Sequence, residues 1–140
     1  MTFDAILLPV FVQVGLTFFL LFWMAHLRIG AVRRREVHMG DVALRQPAWP
    51  QRTTQIANAY HNQLELPLLF YVVVILAMFT RKADMLFVVL AWMFVVSRMV
   101  HAAIHVTEND MRNRLLAFAV GAVVLLIMWI LFAVKILLGL

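Results

Sequence analysis

Two rows of polar side chains interrupt otherwise apolar sequence, and each row has the spacing of one helix face. Gln55, Asn58, Asn62 and Glu65 follow at intervals of three, four and three residues. Arg98, His101 and His105 follow at three and four, with Glu108 one turn further on. Side chains three and four apart share a side of an α-helix. Such a set can hold an anion, bond a peptide and move a proton. It offers no sulfur nucleophile and no disulfide, because the chain has no cysteine. His101 and His105 have the spacing of two metal ligands, with Glu108 beyond. The zinc-peptidase pattern, however, needs Glu directly after the first His, where Ala102 stands. Five His in the chain are too few for a multi-histidine di-iron site, so no metal is expected.

These rows must be positioned by a scaffold suited to lipid. Of 140 residues, 65% are apolar and 14% charged, against roughly half and a quarter in soluble domains. A soluble core of this size could not hide so many Leu, Val, Phe and Met side chains, whereas lipid lets the outside be apolar too. Four apolar segments run over about 5–27, 64–80, 85–106 and 115–138. A spanning helix needs roughly 20 residues, within about 17–25. The second segment is short, so its helix is predicted to begin near Thr53 or Thr54 and to project beyond the bilayer. The expected architecture is an all-α membrane protein, a four-transmembrane-helix bundle in one domain, 1–140, with helices near 5–27, 54–80, 84–106 and 112–138. Asp4, the lack of a basic start and the long first apolar run argue against a cleavable signal. There is no internal repeat.

The longest link, 28–52, carries Arg28, Arg33, Arg34, Arg35, Arg45 and Arg52. The positive-inside bias places it in the cytoplasm and both termini on the other side, six basic residues outweighing Arg81 and Lys82. The net charge of +5 therefore reflects topology, and no nucleic-acid partner is expected. Arg33, Arg34 and Arg35 read as a lipid-headgroup cluster, and residues 46–50 as irregular loop with an interfacial Trp49. Residues 80–84 form a tight turn, and Asp110 or Asn109 caps the fourth helix. The lack of Cys and the compact chain fit a bacterial inner membrane.

Depth follows from helix geometry. Arg98 lies 14 residues after Asp84, roughly 20 Å along a helix, and so about 10 Å inside the cytoplasmic boundary of a hydrocarbon core about 30 Å thick. Glu65 reaches a similar depth on the antiparallel neighbour. An unpaired charge there costs roughly 2.5–3.5 kcal/mol, so Glu65 and Arg98 are expected to face the interior and to approach each other. A polar cavity with excess positive charge suits an anionic ligand, and the surrounding hydrocarbon suits an apolar co-substrate. The plainer alternatives are a structural pair at Glu65 and Arg98 that fixes helix register, an Asn62 that only bonds across helices, and an Arg114 that only anchors its helix at the interface. Gly15 and Gly121 are read as sites of close helix approach.

Residues 59–67, Ala-Tyr-His-Asn-Gln-Leu-Glu-Leu-Pro, resemble the second-helix signature of the MAPEG family, the membrane-associated proteins of eicosanoid and glutathione metabolism. Residues 97–105, Ser-Arg-Met-Val-His-Ala-Ala-Ile-His, resemble its third-helix pattern Arg-x-x-His-x-x-x-Tyr. The four-helix layout and long basic first link agree, and the resemblance covers essentially the whole chain. It implies a homotrimer that binds glutathione as co-substrate between neighbouring subunits, near the cytoplasmic leaflet. By position it assigns glutathione contacts to Arg28, Asn62, Glu65, Arg98, His101 and His105, and the thiolate-stabilising catalytic role to Arg114. The sequence departs from the pattern at Asn58, where many members have arginine, at Tyr60, where they have histidine, and at His105, where they have tyrosine. The implied function is a glutathione-dependent transferase or peroxidase acting on a lipophilic electrophile or hydroperoxide, with lipid and a lipophilic small molecule as partners. Its rivals are a non-catalytic scaffold of the same family and a small transporter or proton relay. Helices without a discontinuous segment are expected to weigh against a transporter.

Overall fold

A computed structural model of the chain describes residues 2–37, 40, 49–107 and 110–140. Arg45, residues 46–48, Glu108 and Asn109 lie outside the described residues, and with them the readings made of those positions. Among the described residues these α-helices follow in order: α1 Phe3–Arg33, α2 Gln51–His61, α3 Leu66–Phe79, α4 Met85–Val106 and α5 Met111–Leu137. A short 3₁₀ turn, η1 Asn62–Leu64, joins α2 to α3. None of the described residues is in a strand. Among the described residues four stretches are long and apolar enough to cross a membrane: Phe3–Arg33, Gln51–Phe79, Met85–Val106 and Met111–Leu137. The protein is an integral, multi-pass membrane protein of four spans.

The helix starts are set by side chains that take up the unpaired N–H groups of a first turn. Thr2 Oγ1 accepts from the Ala5 amide at 3.4 Å, Asp84 Oδ1 from Phe87 at 2.9 Å, and Asp110 Oδ1 from Arg112 at 3.2 Å. The fourth span is thus capped by Asp110. Asp84 also pairs with Lys135 near the end of α5, and that hydrogen bond holds its carboxyl below the usual carboxylate range. The turn after α3 closes with Arg81 at φ 58°. The Lys82 amide donates to Ala77 O at 2.9 Å and the Arg81 amide to Met78 O at 3.2 Å, the bonding of a left-handed helix stop.

Two departures from expectation concern helix limits. α1 runs on through Arg28 to Arg33, residues assigned by the sequence to the link. A helix can continue past the hydrocarbon into the headgroup layer, and basic side chains there favour its C-terminal end. The second span is not continuous. Pro67 has no N–H to give the carbonyl four residues back, Gln63, and its ring crowds that carbonyl. The helix therefore stops at His61, tightens through η1, passes Glu65 at φ −101° and ψ −99°, and restarts at Leu66.

α4 is the central helix, packed on α5, α1 and α2. The core has two apolar clusters. One contains Phe70, Val74, Phe94, Val124 and Met128, with Phe70 stacked on Phe94 at 4.7 Å between ring centroids. The other contains Leu20, Met24, Ile56, Ala59, Ala102 and Val106. Between them in every inner span comes a buried polar band: Gln13 on α1, Gln63 in η1, and Ser97 with Arg98 on α4. Gln13 Nε2 donates to Gln63 Oε1 at 2.7 Å, and Gln63 Nε2 to Ala59 O at 3.2 Å.

Gly121 allows α5 to approach α4. A Cβ there would stand 2.9 Å from Ser97 Oγ, whereas one at Gly15 would meet nothing within 4 Å. Ser97 can rotate only by giving up its 2.6 Å bond to Phe94 O. Gly121→Ala should therefore lower unfolding stability by about 1 kcal/mol, the lower end of overpacking costs, while Gly15→Ala should not destabilise. Thermal unfolding of the two variants in one detergent checks the contrast, and equal midpoints would refute it.

Candidate functional site

The discontinuity in the second span, the C-terminal half of α4 and the start of α5 enclose a cleft of about 400 Å³. Asn58, His61, Asn62 and Glu65 line one side, His101 and His105 the back, and Met111, Arg114, Leu115 and Phe118 the other side. His101 and His105 are present because α4 turns that face inward, whereas Asn58, His61 and Glu65 lie on an exposed side of the second span that opens into the cleft. The break between α2 and α3 keeps Asn62 and Glu65 on the cleft side, and the three- and four-residue spacings of α4 stack His101 and His105 behind them.

His105 is the centre of the hydrogen bonding. Its Nδ1 lies 3.2 Å from Asn62 Nδ2 and its Nε2 lies 3.5 Å from Arg114 Nη1. His101 stands perpendicular to it, ring centroids 5.6 Å apart, and 6.0 Å from Phe118. Arg114 also donates to Met111 Sδ at 3.1 Å. Asn62 and Arg114, from two different spans, thus meet on one imidazole of a third.

Arg98 stands behind the cleft and is wholly buried, at 0% exposure. Its Nη2 donates to Asn62 O at 3.4 Å, and its Cζ lies 5.9 Å from the Phe118 ring centroid. The Asn62 carbonyl is available because the helix stops there. From the backbone it accepts the 3.4 Å contact of Glu65 N, where a continuing helix would place Leu66 N. The guanidinium therefore sits at the C-terminal end of α2, where a helix favours positive charge. The Arg98 Nε and Nη1 atoms and His101 Nδ1 are buried without a hydrogen-bond partner.

Glu65 and Arg98 approach closely enough for their charges to interact, as expected, but they do not form an ion pair. Among the described residues the ion pairs within 4 Å are Arg34–Glu36 and Lys135–Asp84. Glu65 is exposed in the cleft at the start of α3, where a carboxylate is favoured. The opposite charges thus mark the two ends of the broken helix, and a backbone carbonyl occupies the place expected of the carboxylate.

Arg28 lies apart from the cleft of its own chain. It reaches from α1 to Trp49, with Cζ 5.0 Å from the ring centroid, a cation–π contact. Gln55 shares a helix face with Asn58 and Asn62 but has a different task. Its Nε2 donates to His105 O at 2.8 Å and to Thr107 O at 3.4 Å. Arg52 donates to Val106 O and lies over Trp23, 5.1 Å from the ring centroid. Together they tie the last carbonyls of α4 to the first turns of α2. Reading the sequence passed over His61 and Phe118 in the cleft and the buried Gln13–Gln63 pair. A lone Gln in the apolar first span was the available signal for that pair.

Among the described residues no group of three His, Asp or Glu could hold a metal ion. The discontinuous second span removes the argument from unbroken helices against a transporter. Non-helical backbone at membrane depth is tolerated where it lines a cavity, which is its setting here, and the sequence has none of the internal repeats that accompany transporter folds. A family model described as "MAPEG family" matches residues 6–134. No curated protein and no solved structure matches the chain.

Proposed function

Since the chain belongs to the MAPEG family, we propose that it is a homotrimeric, glutathione-dependent transferase or peroxidase that acts on a lipophilic electrophile or hydroperoxide. The cleft carries this reading. It gathers Asn62, Glu65, His105 and Arg114 beside Phe118 and Leu115, a polar surface with one guanidinium and one carboxylate adjoining an apolar wall. That is the surface needed by a charged thiol peptide meeting a substrate that arrives through lipid.

A free thiol has a pKa near 8.5 and reacts as its thiolate. A guanidinium close to the sulfur favours the charged form, and this is the role of Arg114. Arg98 and Arg28 are the partners of the glutathione carboxylates, since Arg can hold a carboxylate through two parallel bonds. Arg28, which lies outside the cleft of its own chain, is assigned to the cleft of an adjacent copy in the trimer. Asn62 hydrogen-bonds the peptide and Glu65 receives the glutathione ammonium. The long basic link then faces the cytoplasm and both termini the opposite side, in a bacterial inner membrane.

The test is ligand-dependent stability. Detergent-purified protein with glutathione at 100 times its dissociation constant should gain about 2.7 kcal/mol, read as a raised unfolding midpoint, and should conjugate or reduce a lipophilic substrate. An unchanged midpoint at millimolar glutathione would leave the non-catalytic scaffold as the better reading. A raised midpoint without turnover would reduce the role to binding.

A further inference from the structure

We propose that His105 is the proton acceptor of the cleft: it takes the proton of the bound thiol and returns it to the product of addition to an electron-poor alkene. This rests on the thiol-dependent reading above and goes beyond it by assigning the proton and the substrate class.

The bonding around the ring fixes its protonation pattern. Arg114 Nη1 lies 3.5 Å from Nε2, and a guanidinium can only donate. Nε2 therefore carries the lone pair, and in the neutral ring the proton is on Nδ1. The Asn62 amide, 3.2 Å from Nδ1, then turns its carbonyl oxygen to that N–H, amide orientation being assigned from partners. The result is an imidazole whose accepting nitrogen points at the arginine that is to hold the sulfur. The ring is held in place: Gln55 bonds the carbonyl of His105 at 2.8 Å, and His101 packs edge-on at 5.6 Å.

The other titratable groups of the cleft fit the task less well. Glu65 is exposed, and its charge is engaged with Arg98. His61 is also exposed, and among the described residues no hydrogen bond orients its ring. His101 is deeper, with its Nδ1 buried and unpartnered. Arg98 shares the helix of His105, and the anions that offset these positive charges are Glu65, whose charge acts on Arg98, and the thiolate itself.

The step balances as follows. The S–H bond breaks, its electron pair stays on sulfur, and the proton goes to Nε2 while Arg114 transfers its N–H from the ring to the sulfur. With an α,β-unsaturated carbonyl compound, sulfur bonds to the β carbon and the alkene pair moves toward the carbonyl as an enolate. The proton on Nε2 then returns to the α carbon. Nothing leaves and no oxidant is needed, so a long-chain enone is the matching substrate.

Proton accounting on the full-length protein tests this. Glutathione is mixed with the parent protein in a weakly buffered indicator solution while the ultraviolet thiolate band is followed. The expected result is a thiolate band with no proton released to solvent, because the proton stays on His105. His105→Gln, which cannot take up a proton, should conjugate a long-chain enone about 10²-fold more slowly and should release one proton to solvent for each thiolate it forms. One proton released per thiolate formed in the parent, or undiminished turnover in the variant, would overturn the assignment of His105 and leave the thiol reading standing. Failure of the parent to bind glutathione at all would overturn both.

Discussion

Replacing Arg114 with alanine should lower kcat by about 10²- to 10³-fold and leave the four spans folded. Arg114 stands in the first turns of α5, only part-buried, in the wall of the cleft. It touches His105 Nε2 at 3.5 Å and Met111 Sδ at 3.1 Å. A preorganised cation at a sulfur that gains negative charge acts on the reacting state, and removing one such donor typically costs about 2.7–4 kcal/mol of barrier. The stability change should be small, since substitutions near the surface usually move it by about 0.5 kcal/mol. Steady-state rates with glutathione and a lipophilic electrophile, beside unfolding midpoints of parent and variant, make the comparison. An anchor at the membrane interface predicts the reverse pattern, a lower midpoint and a rate within threefold of the parent, and that result would end the catalytic assignment.

Arg98→Met should reduce glutathione affinity on the order of ten- to a hundredfold, while stability stays within about 1 kcal/mol of the parent or rises. The magnitudes decide the sign. A charged arginine at the centre of a span costs about 2.5–3.5 kcal/mol on insertion scales. Against this, a hydrogen bond from a charged group returns about 1.5–3 kcal/mol, and Arg98 makes one to Asn62 O at 3.4 Å. Methionine fills much of the same space without the charge, and replacing buried charge by apolar volume is often neutral or stabilising. The loss falls on the ligand, because Nε and Nη1 are buried without protein partners and one charge-assisted bond is worth a factor of this size. Calorimetric titration with glutathione and thermal unfolding read the two quantities separately. A destabilised variant with undiminished affinity would make Arg98 a structural cap for the end of α2 and nothing more.

Periodicity and hydropathy made most of the scaffold legible. The four spans, Asp110 as a cap and the inward polar row of the third span are all properties of residues within one or two turns of each other. What escaped depended on longer relations. Pro67 breaks the helix through the carbonyl of Gln63, so its effect appears upstream of itself, at residues that look like good helix. Once the break exists, a backbone oxygen becomes available, and Arg98 takes it. Glu65 shares the depth of Arg98 and acts on it through its charge, but a side chain's depth does not show which backbone groups are open. Gln55 repeats the spacing of Asn58 and Asn62 yet serves the end of α4, because the polar face of α2 passes from the cleft to a helix terminus along its length. His105 was visible as a polar residue on the right face. Its two hydrogen-bonding neighbours come from other spans and could not be read locally.

The buried polar layer lying between two apolar clusters has a consequence for how the sequence can drift. Residues around Phe70 and Phe94 pack among themselves on one side of that layer, while the cleft and its supports lie within it and on the other. Changes well separated in space and without shared partners tend to combine independently. The far half of the bundle can therefore be retuned, for a bilayer of different thickness or stiffness, with little disturbance to the chemistry. The near half has no such latitude: a new side chain at Ala102 or Ile56 enters the cluster that packs α1, α2 and the C-terminal half of α4 together. Adaptation to a new membrane and adaptation to a new substrate are open to selection as separate problems.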